Sequence, residues 1–178
     1  AAAASGGKPP ALEEEASATD QLSAFIASMN ERAVALGLTQ TFFLNESGLD
    51  TSEAMSGGYG SAQDVARLMA AALREIPEVL DMTRDDSITI HSLSGIIHEK
   101  KNTNEATGRI PGLIGGKTGY TELAGGNLAV VFDAGIAHPI AVVVLGSTAD
   151  GRFRDVEELA WKTLEYLRVC TMKWVVCT

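Results

Sequence analysis

Three neighbouring segments decide the fold: GGKTGYT (residues 115–121), NLAVVF (127–132) and IAVVVL (140–145). The second and third are Val-rich apolar runs of strand length, which is typical of buried strands. The corner at residues 133–135 between them predicts that they pair antiparallel. Glycines in the first segment would let a substrate backbone approach an edge strand closely. We therefore predict an antiparallel sheet whose first strand borders a cleft.

Helical patterns lie on both sides of these strands in the sequence. Ser17 and Thr19 are candidate caps for a helix that ends near Leu36, and SAQD (61–64) has the form of a capping box that opens a second helix. Apolar side chains at helical spacing over residues 155–167 predict a final helix. Because helices come first, then strands, then a helix, the order favours an α+β fold over alternating βαβ units.

Composition excludes several classes of function. The chain has 178 residues and a net charge of −9, which argues against nucleic-acid binding because phosphates require a basic surface. No run of about 20 apolar residues predicts a membrane span. Cys170 and Cys177 are close enough in sequence for a disulfide, which leaves the compartment open, and no metal-ligand cluster surrounds them.

The residues of the Lys-Thr-Gly tripeptide suit one kind of chemistry. Lys117 supplies a point positive charge, Thr118 supplies a hydroxyl donor, and Gly119 leaves space where a side chain would block a cleft. Together they suit the binding of a carboxylate while an acyl group is transferred. The tripeptide alone is a weak signal, since three common residues recur by chance.

Further segments in the same order make the signal specific. Taken together with the tripeptide, these segments give the chain a resemblance to a known family over about Phe25 to Leu167. It resembles the low-molecular-mass penicillin-binding proteins, which are serine-type D-Ala-D-Ala carboxypeptidases. The resemblance implies a β-lactamase/transpeptidase-like fold, an antiparallel sheet packed with helices. The matching segments are MN (29–30), LGLT (36–39), NESGL (45–49), SAQD (61–64), KNTN (101–104), GKTGYT (116–121) and VLG (144–146).

The resemblance also implies roles for individual residues. It places Lys117, Thr118 and Gly119 in the catalytic apparatus, with the lysine and threonine at the carboxylate end of the substrate. The backbone N–H of Tyr120 would form half of an oxyanion hole, and Arg152 would bind the carboxylate. The resemblance implies one more substrate-binding residue, Asn104, which would lie near the cleft floor. Its role would be structural more than reactive.

The implied reaction removes the terminal D-Ala from a peptidoglycan stem peptide through an acyl-serine intermediate, without metal or cofactor. β-Lactams would acylate the same serine, and the enzyme would work outside the cytoplasm. Two alternatives share the cleft wall. One is a serine β-lactamase, and the other is a non-catalytic module that binds the cell wall.

The family's other two motifs, Ser-x-x-Lys and Ser-x-Asn, occur literally at residues 5–8 and 28–30. We reject the first because its two glycines and the following prolines oppose the helical turn that would bring Lys8 to Ser5. We reject the second because it falls inside the first predicted helix. We therefore expect a chain that begins after both true motifs and is inactive alone. We predict that residues 1–16 are a linker or frayed start. Residues 17–168 would be the C-terminal part of a catalytic domain that is incomplete at its N-terminus. Residues 169–178 would be an unassigned tail.

Overall fold

The computed structural model describes residues 10–172, and the side chains of residues 17–170. The chain divides into two compact units, Ala1–Tyr59 and Gly60–Thr178. The rejected string at residues 5–8 and most of the unassigned tail lie outside the described residues. Of the cysteine pair, Cys170 lies within the described part and is disulfide-bonded.

The first unit contains one long helix, α1 (Pro10–Ala35), and two short paired strands, β1 (Phe42–Phe43) and β2 (Gly58–Tyr59). The helix starts before the predicted caps, so residues 10–16 are helical where we expected a linker. The reason is that ALEEEA (11–16) consists of strong helix formers, and proline is tolerated in a first turn. The end agrees with the prediction, since Gly37 follows with a φ of +71°.

The side chain of Asn30 ties β1 to the helix. Its Nδ2 donates to the carbonyl of Phe43 at 2.8 Å, and its Oδ1 accepts from the backbone N–H of Phe43 at 2.8 Å. The literal Ser28-Met29-Asn30 string is therefore a helical segment whose amide holds a strand. This agrees with our rejection of the string as a catalytic motif.

Among the described residues, the second unit contains three α-helices, a short 3-10 helix, a separate hairpin and a three-stranded antiparallel sheet whose strands lie in chain order. The hairpin strands also pair antiparallel. In chain order the elements are α2 (Ala62–Glu75), α3 (Pro77–Asp81), β3 (Ser87–His91), β4 (Ile97–Lys101), a short 3-10 helix (Thr107–Arg109), β5 (Leu113–Thr121), β6 (Gly125–Asp133), β7 (Pro139–Ser147) and α4 (Gly151–Met172). This α+β arrangement confirms the predicted fold class.

Two local features of this unit agree with the sequence predictions, a helix cap and a turn. The Ser61 hydroxyl caps α2 by accepting from the backbone N–H of Asp64 at 3.2 Å. At the turn between β6 and β7, Asp133 Oδ1 accepts from the N–H groups of Gly135 (3.1 Å) and His138 (3.0 Å). The hydrogen bonds from His138 and Gly135 lower the pKa of Asp133 because they favour its charged form.

Strand β6 is the centre of the core because both of its faces are covered. Leu128, Val130 and Phe132 lie on one face and pack in a cluster with residues of α4. Ala129 and Val131 lie on the other face and cluster with residues of α2 and α3. A strand that is buried on both sides needs apolar residues at every position, which explains the continuous run at residues 127–132. Packing on both faces of β6 holds the sheet in place, and among the described residues β5 forms one of its edges.

Candidate functional site

The Lys-Thr-Gly tripeptide lies on β5, which pairs with β6 alone among the described residues. Lys117 lies opposite Ala129 and Thr118 lies opposite Leu128. Because side chains alternate along a strand, Lys117 is on the face shared with α2 and α3, and Thr118 is on the face shared with α4. The Lys117 ammonium is exposed and donates to the carbonyl of Thr118. The predicted edge-strand placement of the tripeptide agrees with this position.

Glycine occurs at three positions of β5 for different reasons. A Cβ on Gly115 would lie 2.4 Å from the carbonyl oxygen of Leu80 in α3, and one on Gly116 would lie 2.8 Å from that of Ala129. These glycines therefore admit the protein's own backbone, whereas we expected them to admit a substrate. A Cβ on Gly119 would meet Asn127 Cβ at 3.7 Å, which is an ordinary contact. Within the described part of the chain, packing gives no reason for glycine at 119.

Arg152, in the first turn of α4, reaches the same stretch of strand. Its Nη1 donates to the carbonyl of Gly119 at 2.6 Å, and its guanidinium carbon lies 4.7 Å from the centre of the Phe153 ring. Its Nε is buried and has no hydrogen-bond partner among the described residues. The helix dipole disfavours a cation at a helix N-terminus, so helix stability does not explain this residue. The guanidinium makes this a local positive region, whereas the first backbone N–H groups of α4 already donate to Thr148 and Asp150.

Two threonine hydroxyls meet beside this positive region. Thr118 Oγ1 lies 2.7 Å from Thr103 Oγ1, and either atom can be the donor. Sequence reasoning did not single out Thr103. The available signal was its place between two asparagines, which are frequent in rigid turns.

The other predicted substrate-binding residues differ in exposure. Tyr120 is 47% exposed at the end of the strand, open to a ligand. Asn104 is only 3% exposed, and its Oδ1 accepts from the backbone N–H of Ala106 at 3.0 Å. Its Nδ2 is buried beside Gly116 and has no partner within residues 17–170. Asn104 thus lies beneath the strand, and its influence on a ligand would pass through the residues above it.

Two further classes of feature were searched for in the described residues. No group of three or more His, Cys, Asp or Glu side chains there could hold a metal ion. No helix in that part of the chain is long and apolar enough to cross a membrane.

Comparison with known proteins identifies the family. The family model for D-alanyl-D-alanine carboxypeptidase (peptidase S11) matches residues 12–149. The chain is 30% identical over 136 residues to the D-alanyl-D-alanine carboxypeptidase DacA of Escherichia coli, covering 76% of this chain and 32% of the relative. It is 35% identical over 144 residues to DacD of Salmonella typhimurium, covering 80% and 33%. The chain thus spans about a third of the length of these relatives.

Solved structures share the fold. A D-alanyl-D-alanine carboxypeptidase from Mycobacterium tuberculosis has a TM-score of 0.63 at 28% identity, covering 78% of this chain and 52% of that one. Penicillin-binding protein D2 from Listeria monocytogenes, in its cefotaxime-bound form, has a TM-score of 0.65 at 31% identity, covering 76% and 53%. The match over most of the sequence and the shared fold lead to one conclusion: the chain belongs to the D-alanyl-D-alanine carboxypeptidase family, and residues 12–149 are the part that matches it.

Proposed function

We propose that the whole protein is a serine-type D-Ala-D-Ala carboxypeptidase that acts on peptidoglycan stem peptides. The observation that carries the proposal is the succession of an ammonium, a hydroxyl and an arginine-bound carbonyl along one edge strand. Arg152 contacts the carbonyl of Gly119, and Lys117 and Thr118 precede that glycine on the strand. Since packing does not require glycine at 119, the space there suits a ligand.

The groups fit the successive steps of the reaction. Arg152 and Lys117 neutralise the free carboxylate of the terminal D-Ala, while the Thr118 hydroxyl donates a hydrogen bond to it. A serine oxygen attacks the carbonyl carbon of the preceding D-Ala, and the resulting oxyanion accepts from the backbone N–H of Tyr120. The peptide C–N bond then breaks, the leaving amine takes up the proton that the serine hydroxyl gives up, and D-Ala departs. Water hydrolyses the acyl-serine and restores the enzyme.

The described residues supply the carboxylate-binding wall in this scheme. No Ser-x-x-Lys string occurs within residues 10–172, so the acylated serine is assigned to the whole protein and to none of these residues. The scheme requires neither a metal nor a cofactor, because the charge on the substrate is met by side chains and backbone N–H groups.

β-Lactams are proposed as a second class of ligand. Penicillin-binding protein D2 of Listeria monocytogenes is described in cefotaxime-bound and ampicillin-bound forms. These compounds carry a carboxylate next to the acyl group, so the same wall would hold them. Because the stem peptide belongs to the cell wall, the proposed site of action is outside the cytoplasm.

The test uses the whole protein, expressed from its complete coding sequence, with a peptide that ends in D-Ala-D-Ala. We expect release of one D-Ala per peptide and a stable adduct with a fluorescent penicillin. Rapid turnover of penicillin without peptide cleavage would indicate a β-lactamase instead. Binding of peptidoglycan without either reaction would indicate a non-catalytic cell-wall module.

A further inference from the structure

The loop from Asn102 to Asn104 is held by its own asparagine side chains. Asn102 Nδ2 donates to the carbonyls of Thr83 (2.8 Å) and Asp85 (2.9 Å), and its Oδ1 accepts from the backbone N–H of Asn104 at 2.9 Å. Asn104 Oδ1 in turn accepts from the N–H of Ala106 at 3.0 Å. Both asparagines therefore serve the loop itself, which fixes the residue between them.

That intervening residue is Thr103, whose side chain is exposed and reaches β5. Its Oγ1 lies 2.7 Å from Oγ1 of Thr118, a normal distance between two hydroxyls. A threonine hydroxyl has one proton to donate and two lone pairs to accept. The pair can therefore exist in two forms, which differ in which threonine is the donor.

We propose that Thr103 is a positioning residue for anion binding by Thr118, an inference that rests on the proposed function. When a carboxylate is bound, the single Thr118 proton points to the anion. The contact between the two hydroxyls then persists only if Thr103 donates to Thr118. In that form Thr103 fixes the side-chain rotamer of Thr118 and polarises its O–H bond toward the ligand. The asparagine-held loop gives Thr103 the rigidity that this role requires.

A purely structural role makes a different prediction. If the two hydroxyls only tie the loop to the strand, then loss of the Thr103 hydroxyl lowers stability and affects all substrates equally. If Thr103 orients Thr118, the loss affects ligands with a carboxylate at that position more than ligands without one. The second outcome also depends on the Thr118 hydroxyl being present.

The first experiment measures kcat/KM of the whole protein on a D-Ala-D-Ala peptide and on its C-terminal amide. Thr103→Val replaces the hydroxyl by a methyl group of similar size, and Thr103→Ser is the matched control that keeps it. We expect Thr103→Val to lower kcat/KM on the free acid about three- to tenfold, the usual scale of one neutral hydrogen bond, and less on the amide. Serine should restore it to within about twofold, and Thr118→Val should abolish the effect. Equal losses on both substrates, or an undiminished effect in Thr118→Val, would overturn the inference.

The second experiment needs no catalysis. N-acetyl-D-alanine is titrated into the 178-residue chain while the backbone amide signals of Gly119 and Tyr120 are followed by NMR. We expect Thr103→Val to raise the Kd about three- to tenfold and Thr103→Ser to leave it near the original value. If this shift occurs and the whole protein cleaves no peptide, the positioning role stands and the proposed reaction fails. If peptide is cleaved and neither readout responds to Thr103→Val, the reaction stands and the positioning role fails. Absence of both binding and cleavage overturns both.

Discussion

A methyl group added at Gly119 should separate function from stability. At Gly119 the new Cβ would be 3.7 Å from Asn127 Cβ, so alanine fits the fold. The backbone there does not have the positive φ that favours glycine. Gly119→Ala should therefore leave stability unchanged or raise it by about 0.4–1 kcal/mol through the unfolded state. The methyl group would occupy space beside the strand, and a misplacement of about 1 Å can reduce activity about a hundredfold. We expect a loss of that order in kcat/KM.

Gly116→Ala is the matched control on the same strand. Its Cβ would lie 2.8 Å from the carbonyl oxygen of Ala129, well inside an ordinary contact. Overpacking of this kind costs about 1–3 kcal/mol, which corresponds to a fall in Tm of about 2–12 °C for a chain of this size. For both variants, thermal unfolding is measured on the 178-residue chain, and release of D-Ala from a peptide is measured with the whole protein. The reasoning is refuted if Gly119→Ala lowers Tm as much as Gly116→Ala does, or if it remains fully active.

Three other outcomes are expected. Lys117→Ala should lower kcat/KM of the whole protein about ten- to a hundredfold on a free D-Ala-D-Ala peptide and much less on its amide, since a charge-assisted hydrogen bond contributes about 1.5–3 kcal/mol; equal losses would exclude Lys117 from carboxylate recognition. The 178-residue chain should form no covalent adduct with a fluorescent penicillin on a denaturing gel, and a band that disappears in Ser5→Ala would show that the rejected motif is real. Because the native pKa of Asp133 is lowered, its stabilising effect is complete above the unfolded pKa and lost as pH falls through the native one. Asp133→Ala should therefore lower Tm at pH 7 but not at strongly acidic pH, and a pH-independent difference would contradict this.

The sequence predicted features that depend on local chemistry. The cap at Ser61 and the end of α1 at Gly37 could be predicted because each depends on residues within one turn. The strands of residues 127–132 and 140–145 could be predicted because their apolar runs pack, fully or in part, into clusters on both faces of the sheet. The tripeptide was placed on an edge strand because of its glycines, and the position is correct although Gly115 and Gly116 admit the protein's own backbone and not a substrate.

Features set by the approach of distant segments could not be predicted in this way. Strand β4 is polar and exposed, so it shows no apolar alternation. Gly115 is required by the carbonyl of Leu80, which is far away in sequence, and no local pattern reveals such an approach. The Thr103–Thr118 contact likewise joins a loop to a strand 15 residues further along the chain. Those contacts depend on tertiary packing, which single-sequence patterns do not encode.

Net charge gives a misleading view of what the site can bind. A chain with a net charge of −9 would be expected to repel a substrate that ends in a carboxylate. At physiological ionic strength, however, exposed charges beyond about 8 Å are largely screened, so the nearest groups decide the outcome. Here those groups include Arg152, which donates to the carbonyl of Gly119, and Lys117, which lies two residues before that glycine on the same strand. Arg152 stands where the helix dipole disfavours a cation, and its contacts with the Gly119 carbonyl and the Phe153 ring offset that cost. We propose that this local positive charge within an acidic protein serves to hold the substrate's carboxylate.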